Sequence, residues 1–514
     1  MQGSFPITIN ETVYRVEGNS CHSTLLSFLR ESGFQDVMAP RGSQNAGPDV
    51  LLALDLSAAG RNAYRMLPSA LLPLPMCAGR TFWTPDFLLN ATPKHRALEL
   101  LESHAPALPN TAQRAVATAL FEAWYRENLT SPASVREGFE AFSFRYGGFR
   151  GLFAASEELF AEVAEIRSRV AQAPEGTGIS SLRRRTQAAA ADPFQDQWSP
   201  RLQEVAPTLQ PINYVDADGR RFYRAATMTE TLRLLHEYPD SVLLHSGLSW
   251  HREEHPPHLP ACLITTDGIA ELHIILPQGN EIEIGAENTL SLLQEAVTGD
   301  FPELESFVCR IEARPHRNRL TIAEHLLEPD RIPTAALPLY TSDARIRIAT
   351  GEGERDLDVD ALYRTRFTSG LRSNELIKSI IVTKPEKARA FEQCYIFGPG
   401  ATNQSVIGGA GFRVELDRAD RVLSARIALA GFDQKLPFKR CKAVEETLVG
   451  KNWDESTIEI VADLMMEGID ARSDQLASAE KRRKLGPNSL RRFFEDHRLE
   501  QLKATELPIA LPGT

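Results

Sequence analysis

Apolar and polar residues alternate from the start of the chain: Phe5, Ile7 and Ile9 share one face, a turn falls near Asn10-Glu11, and Val13 to Val16 return. That period of two predicts a β-hairpin over residues 5–18. Ser23-Thr24 then reads as the cap of a short helix bearing Leu25, Leu26, Phe28 and Leu29. Residues 35–48 are rich in Gly, Pro, Ser and Asn, and a loop of that length inside a compact unit is usually functional or vestigial. Residues 50–54 and 81–83 add short strands, so residues 1–85 predict a small mixed α/β unit.

From residue 95 the period moves to about 3.6. Val116, Leu120, Phe121 and Trp124 fall at helical spacing, as do Leu159, Phe160, Val163, Ile166 and Val170. Ser131-Pro132, with Ser134 and Glu137 following, carries the signature of a capped helix start. A helical bundle is expected over residues 86–172. Periodicity disappears over 173–207, which reads as an extended or mobile linker. Its run Arg183-Arg184-Arg185 reads as solvated linker charge rather than a binding patch.

Strands and helices alternate after residue 208. Thr227 and Glu230 form a Thr-x-x-Glu box before a helix over 229–238, and residues 242–244 read as a buried strand entering Ser246-Gly247. Glu281 to Ile284 alternates before Gly285, and a helix is expected over 290–297. This α+β body extends to residue 385. A last unit over 386–501 carries strands at 412–416 and 422–429, then helices at 439–449 and 457–466.

Composition narrows the function classes. The 514 residues give a soft expectation of three to four domains. The net charge of −11 argues against a phosphate-backbone binder, so no nucleic-acid partner is expected. No apolar run is long enough to span a membrane. The six cysteines, at 21, 77, 262, 309, 394 and 441, form no CxxC pair, which excludes a local metal knuckle and fits reduced thiols in the cytoplasm.

Local chemistry is sparse. His251, His255 and His258 are close in sequence, but Arg252 stands where a zincin needs glutamate and Pro256-Pro257 ends any helix, so a loop is the better reading. The glycines from Gly398 to Gly411 fit no phosphate-loop pattern and run into a strand, which reads as a turn with close strand packing. No catalytic residue and no metal ligand is identified.

Several passages together resemble the small subunit of bacterial xanthine dehydrogenase, in the molybdenum hydroxylase family. They are residues 24–31 (TLLSFLRE), 71–80 (LLPLPMCAGR), 284–290 (IGAENTL) and 371–377 (LRSNELI), and Lys439-Arg440 with Glu445, Leu448, Gly450 and Trp453. The resemblance implies an α+β multidomain chain. Its parts would be a ferredoxin-like β-grasp domain, a helical bundle like the second iron–sulfur domain, a vanillyl-alcohol-oxidase-type FAD domain and a C-terminal flavoprotein domain.

The departures change the expected function. Plant-type clusters need thiolate ligands, and the eight aligned positions carry Ala39, Gln44, Gly47, Ala70, Leu108, Thr111, Phe144 and Tyr146. No iron–sulfur cluster is expected. The family's pyrophosphate loop resembles His245 to Ser249, and its second loop resembles Arg317 to His325. The implied flavin-binding residues are Ser246, Gly247, Leu248, Ser249, Asn318 and Thr321. Glu324 would set a carboxylate beside the diphosphate, where like charges 4 Å apart repel by about 4 kcal/mol at an effective dielectric of 20. FAD is possible but disfavoured. The resemblance therefore implies a degenerate, non-catalytic scaffold, assembly or regulatory subunit. Its partner would be a molybdenum-cofactor large subunit or an intact small subunit. The alternative is a divergent FAD-dependent oxidoreductase subunit that still transfers electrons.

Overall fold

The computed structural model describes residues 3–37, 50–57, 61–126, 128–139, 149–168, 194–202, 209–248, 259–297, 301–328, 332–363, 371–372, 374–384, 390–398 and 406–505. Backbone proximity divides the chain into two units, the first of residues 1–325, 347–355 and 373–380, the second of 326–346, 356–372 and 381–514.

In the first unit, β1 (Ser4–Ile9) and β2 (Thr12–Glu17) form the expected hairpin, with Asn10 and Glu11 both at positive φ, as a tight right-twisting turn requires. Thr24 caps α1 (Leu25–Glu31) by accepting the Ser27 amide. β3 (Val50–Ser57) and β4 (Arg61–Pro68) make a second hairpin, and β5 (Thr81–Trp83) runs parallel to β1, giving the sheet order β2-β1-β5-β3-β4. The alternation of side chains along this sheet serves two cores. Ala53 and Leu67 join the core around Phe5, Ile7 and Leu25, whereas Leu52, Leu54, Tyr64 and Met66 face the helices.

Those helices are α2 (Pro85–Leu89), α3 (Arg96–His104), α4 (Asn110–Tyr125), α5 (Pro132–Arg136) and α6 (Phe149–Ser168). α4 is buried almost all round, and Glu122 lies within its apolar surface. The expected linker does not stay extended over its described part. Trp198 is buried, accepts the Tyr64 hydroxyl on its carbonyl at 2.8 Å, and meets Phe121 and Trp83 edge-on at 5.0 and 5.4 Å. An indole brings more apolar area than any other side chain, and that area draws the segment into the core. The arginine run lies outside the described residues.

One more sheet follows within this unit, and another has three strands that run past its limits at residues 347, 355 and 380. β6 (Ile212–Val215), β7 (Arg221–Arg224), β8 (Val242–Leu244) and β9 (Cys262–Thr265) pair in the order β6-β7-β9-β8, with β7, β9 and β8 parallel. Thr227 caps the helix Met228–Glu237, one residue earlier than expected. β10 (Ile275–Gln278), β11 (Glu281–Gly285), β12 (Arg345–Thr350), β13 (Gly353–Asp358) and β14 (Leu376–Thr383) pair in the order β10-β11-β14-β12-β13. The helix Leu290–Val297 stands where the pattern places it, and three short helices, Pro302–Val308, Arg314–Arg317 and Ile322–Leu327, follow it.

The second unit is built on an antiparallel sheet, β15 (Ala390–Phe397), β16 (Gly408–Leu416), β17 (Val422–Ala430) and β18 (Phe438–Arg440). A Cβ on Gly409 would sit 2.7 Å from a Leu337 methyl, so the glycines serve close packing, as their pattern suggests. The helix expected over 439–449 begins only at Lys442, because Phe438 to Arg440 pair with β17. The long helix Ala479–Thr505 is not predicted by the sequence pattern; its polar, basic composition hides the apolar stripe of Leu490, Phe493 and Phe494. Among the described residues no helix is long and apolar enough to cross a membrane.

Candidate functional site

In sheets with parallel strands, ligands bind beyond the carboxyl ends of those strands. Beyond β8 the chain turns through His245, Ser246, Gly247 and Leu248, with Gly247 at φ +74°. Successive amides in such a turn form a concave anion site. Here the anion is internal. The Glu324 carboxylate, on the helix Ile322–Leu327, accepts the Ser246 amide at 2.6 Å, the Gly247 amide at 3.1 Å and the Ser246 hydroxyl. Thr321 fixes that helix by accepting the Glu324 amide at 3.2 Å.

Neighbouring side chains close the turn. A Cβ on Gly247 would lie 2.6 Å from Pro73 and 2.8 Å from the Met76 sulfur, so the segment around Leu74–Cys77 presses directly on the glycine. Arg319 donates from Nε to the Ser246 carbonyl at 3.0 Å. His245 Nδ1 lies 2.6 Å from Glu287, which also accepts the Thr266 hydroxyl at 2.5 Å. Burial alone would lower the imidazole pKa, but the Glu287 carboxylate outweighs it and holds His245 above its ordinary value. The adjoining cavity, lined by Met76, Cys77, Arg80, Thr289, Arg319 and Thr321, holds about 40 Å3. Cofactor pockets measure roughly 300–1,000 Å3. With the nest filled by a carboxylate and the glycine face covered, the residues as arranged do not fit a flavin diphosphate.

The residues named from sequence do not all meet. Ser246, Gly247 and Thr321 converge through Glu324, and Leu248 is buried with its amide 3.3 Å from the Ser246 hydroxyl oxygen. Asn318 lines the same cavity as Arg319 and Thr321 but bonds to other partners. Its Nδ2 donates to the Met66 carbonyl at 3.0 Å and to Glu122 at 3.1 Å, and its carbonyl accepts the Ser291 hydroxyl at 2.7 Å. Ser249 and the three loop histidines lie outside the described residues, as do Ala39, Gln44, Gly47, Phe144 and Tyr146. Of the remaining aligned cluster positions, Ala70 packs on the first core, Leu108 packs on the helical core, and Thr111 lies on α4.

Beside the site lies a buried ionic network that sequence reasoning does not identify. Glu122 bonds Arg314 at 2.8 Å as well as Asn318, and Glu295 takes Arg65 in a two-bond pair at 2.7 and 3.1 Å. A carboxylate in the apolar run ALFEAW is the one signal that could have flagged it.

Comparison with known proteins follows the same geography. Residues 216–385 match the family model of the FAD binding domain in molybdopterin dehydrogenase, and residues 399–497 match the CO dehydrogenase flavoprotein C-terminal domain. The putative xanthine dehydrogenase FAD-binding subunit of Escherichia coli (strain K12) is 23% identical over 274 residues, 52% of this chain and 91% of the relative. Xanthine dehydrogenase 1 of Arabidopsis thaliana is 24% identical over 287 residues, and the match spans only 20% of that protein. Carbon monoxide dehydrogenase from Hydrogenophaga pseudoflava superimposes with a TM-score of 0.50 at 20% identity over 55% of this chain and 96% of that one, a likeness of fold. The chain therefore carries the FAD-binding and C-terminal flavoprotein domains of the molybdenum hydroxylases and is similar to their FAD-binding subunits.

Proposed function

We propose that this chain acts as a non-catalytic scaffold, assembly or regulatory subunit of a molybdenum hydroxylase, with its flavin nest closed by its own carboxylate. Its partner would be a molybdenum-cofactor large subunit or an intact small subunit of that complex. The observation that carries the reading is the Glu324 carboxylate held by the Ser246 and Gly247 amides. A dianionic diphosphate cannot share those donors with a carboxylate without the repulsion and desolvation that buried like charges suffer. The eight aligned cluster positions, none of them cysteine, support the same reading.

The test is purification of the full chain from its native host. Stoichiometric recovery with a molybdenum hydroxylase subunit, without visible flavin absorption arising from this chain, supports the proposal. A second reading, a flavin-binding subunit that transfers electrons, is favoured by the FAD-domain match over residues 216–385. A yellow chain that releases FAD on denaturation would establish it and overturn the first.

A further inference from the structure

One carboxylate in the first unit faces three guanidinium groups. Asp267 pairs with Arg224 at 2.9 Å and Arg80 at 3.0 Å, and Arg319 Nη2 lies 3.7 Å away. Arg224 also donates to the Met76 and Ala78 carbonyls at 2.9 and 3.0 Å. Arg80 and Arg319 are less fully used. Each donates from Nε to one carbonyl, and the Nη1 of each makes no hydrogen bond among the described residues. Both side chains are about nine-tenths buried, at 12% and 11% exposure, and both line the cavity of about 40 Å3.

Buried charge is normally paired, because removing an unmatched ion from water costs several kcal/mol, roughly, even after relaxation. The other charges lining this cavity have their own partners. Glu287 has His245, Arg65 has Glu295, and Asp55 lies 3.9 Å from Arg65 Nε. Asp267 alone thus faces three guanidinium groups beside an open space, with Glu287 the next anion acting on Arg319. Burial lowers the Arg319 pKa and the adjacent Arg80 lowers it further, against the Asp267 and Glu287 carboxylates, which raise it. The Cys77 thiol cannot supply a further negative charge, since burial pushes it up to about 12.

We propose that this cavity binds a small monovalent anion, chloride or a one-carbon carboxylate, bridged by Arg80 and Arg319. A water molecule's share of volume is roughly 30 Å3, so the space suits an ion of that size better than a phosphate ester. His273 lines the same space, and its Nε2 donates to the Asp267 carbonyl at 3.0 Å, holding the ring beside the carboxylate that both arginines face. The site requires neither flavin nor a partner chain, so its fate is separable from that of the proposed function.

The experiment is thermal unfolding of the full chain at constant ionic strength, with sodium chloride or sodium formate replacing sodium gluconate. A ligand of the native state alone raises the midpoint by about 1–2 °C at tenfold above its Kd. A saturable rise with chloride points to a halide, and one with formate alone to a carboxylate. Arg319→Gln should lose either rise. Equal midpoints in all three salts, or a full rise retained in Arg319→Gln, overturn the proposal. Should that variant fail to fold, bromide-soaked crystals of the unaltered chain decide it. An anomalous peak between Arg80 and Arg319, or formate density there in crystals soaked with formate, supports the site, and the absence of both at saturating concentrations rejects it.

Discussion

Glu324 accepts the backbone amide of Ser246 at 2.6 Å across 78 residues of sequence, so a side chain takes the place that an anionic ligand would have in an amide nest. The neighbouring Gly247 amide shares the same oxygen at 3.1 Å.

Replacing that carboxylate should expose the donors it satisfies. Glu324→Ala leaves the Ser246 and Gly247 amides buried and unbonded, at a cost of about 1–3 kcal/mol. Urea unfolding should show the loss, and inorganic pyrophosphate should restore part of it in the variant but add nothing to the unaltered chain. A variant as stable as its parent would show that the nest does not depend on this side chain.

Glu122 is more deeply committed, to Arg314, Asn318 and the Met66 amide. Removing one partner from a buried ionic network leaves an uncompensated charge, at about 3–5 kcal/mol. Glu122→Ala should therefore unfold at markedly lower urea than a surface control such as Glu459→Ala, read by circular dichroism.

The His245–Glu287 pair predicts a pH dependence with a definite sign. Its folded pKa lies above the ordinary value of 6.5, so the pair's contribution is fully present below pH 6.5 and is lost as pH rises through the folded value. Unfolding midpoints measured upward from pH 6.5 should fall, and His245→Asn should flatten that fall. An unchanged slope in the variant would assign the dependence to another group.

Gly247→Ala combines a left-handed backbone with a blocked Cβ direction, 2.6 Å from Pro73. The strain should cost on the order of 1–3 kcal/mol. Gly219 has a similar φ with nothing within 4 Å, so Gly219→Ala should cost less, and the two thermal midpoints compared directly test the close packing of residues 73–76.

Trp198→Ala removes a buried indole from among Tyr64, Trp83 and Phe121 and should cost about 3–5 kcal/mol. Limited proteolysis should then cut near residues 194–202 in the variant much faster than in the parent. Equal cutting would return that segment to a connector.

Local patterns in the sequence determined the elements whose stability is local. The alternation Phe5/Ile7/Ile9, the Thr24 and Thr227 caps and the apolar spacing of residues 290–297 each act within a few positions, so hairpin, helix starts and helix follow from adjacent residues alone. The family resemblance, taken position by position, likewise implied that no cysteine stands at the eight aligned positions. It also marked Glu324 as hostile to a diphosphate, but as a neighbour rather than as the occupant of the nest. That last step belongs to tertiary structure, because a buried amide or charge takes whatever partner the fold brings within about 3 Å, whatever the distance along the chain. Asn318 bonds Glu122, Trp198 packs into the core from the segment read as a linker, and Asp267 collected three arginines from three separate segments. No spacing along the chain encodes those encounters. They follow from burial, which obliges each polar group to be matched and each large apolar surface to be covered.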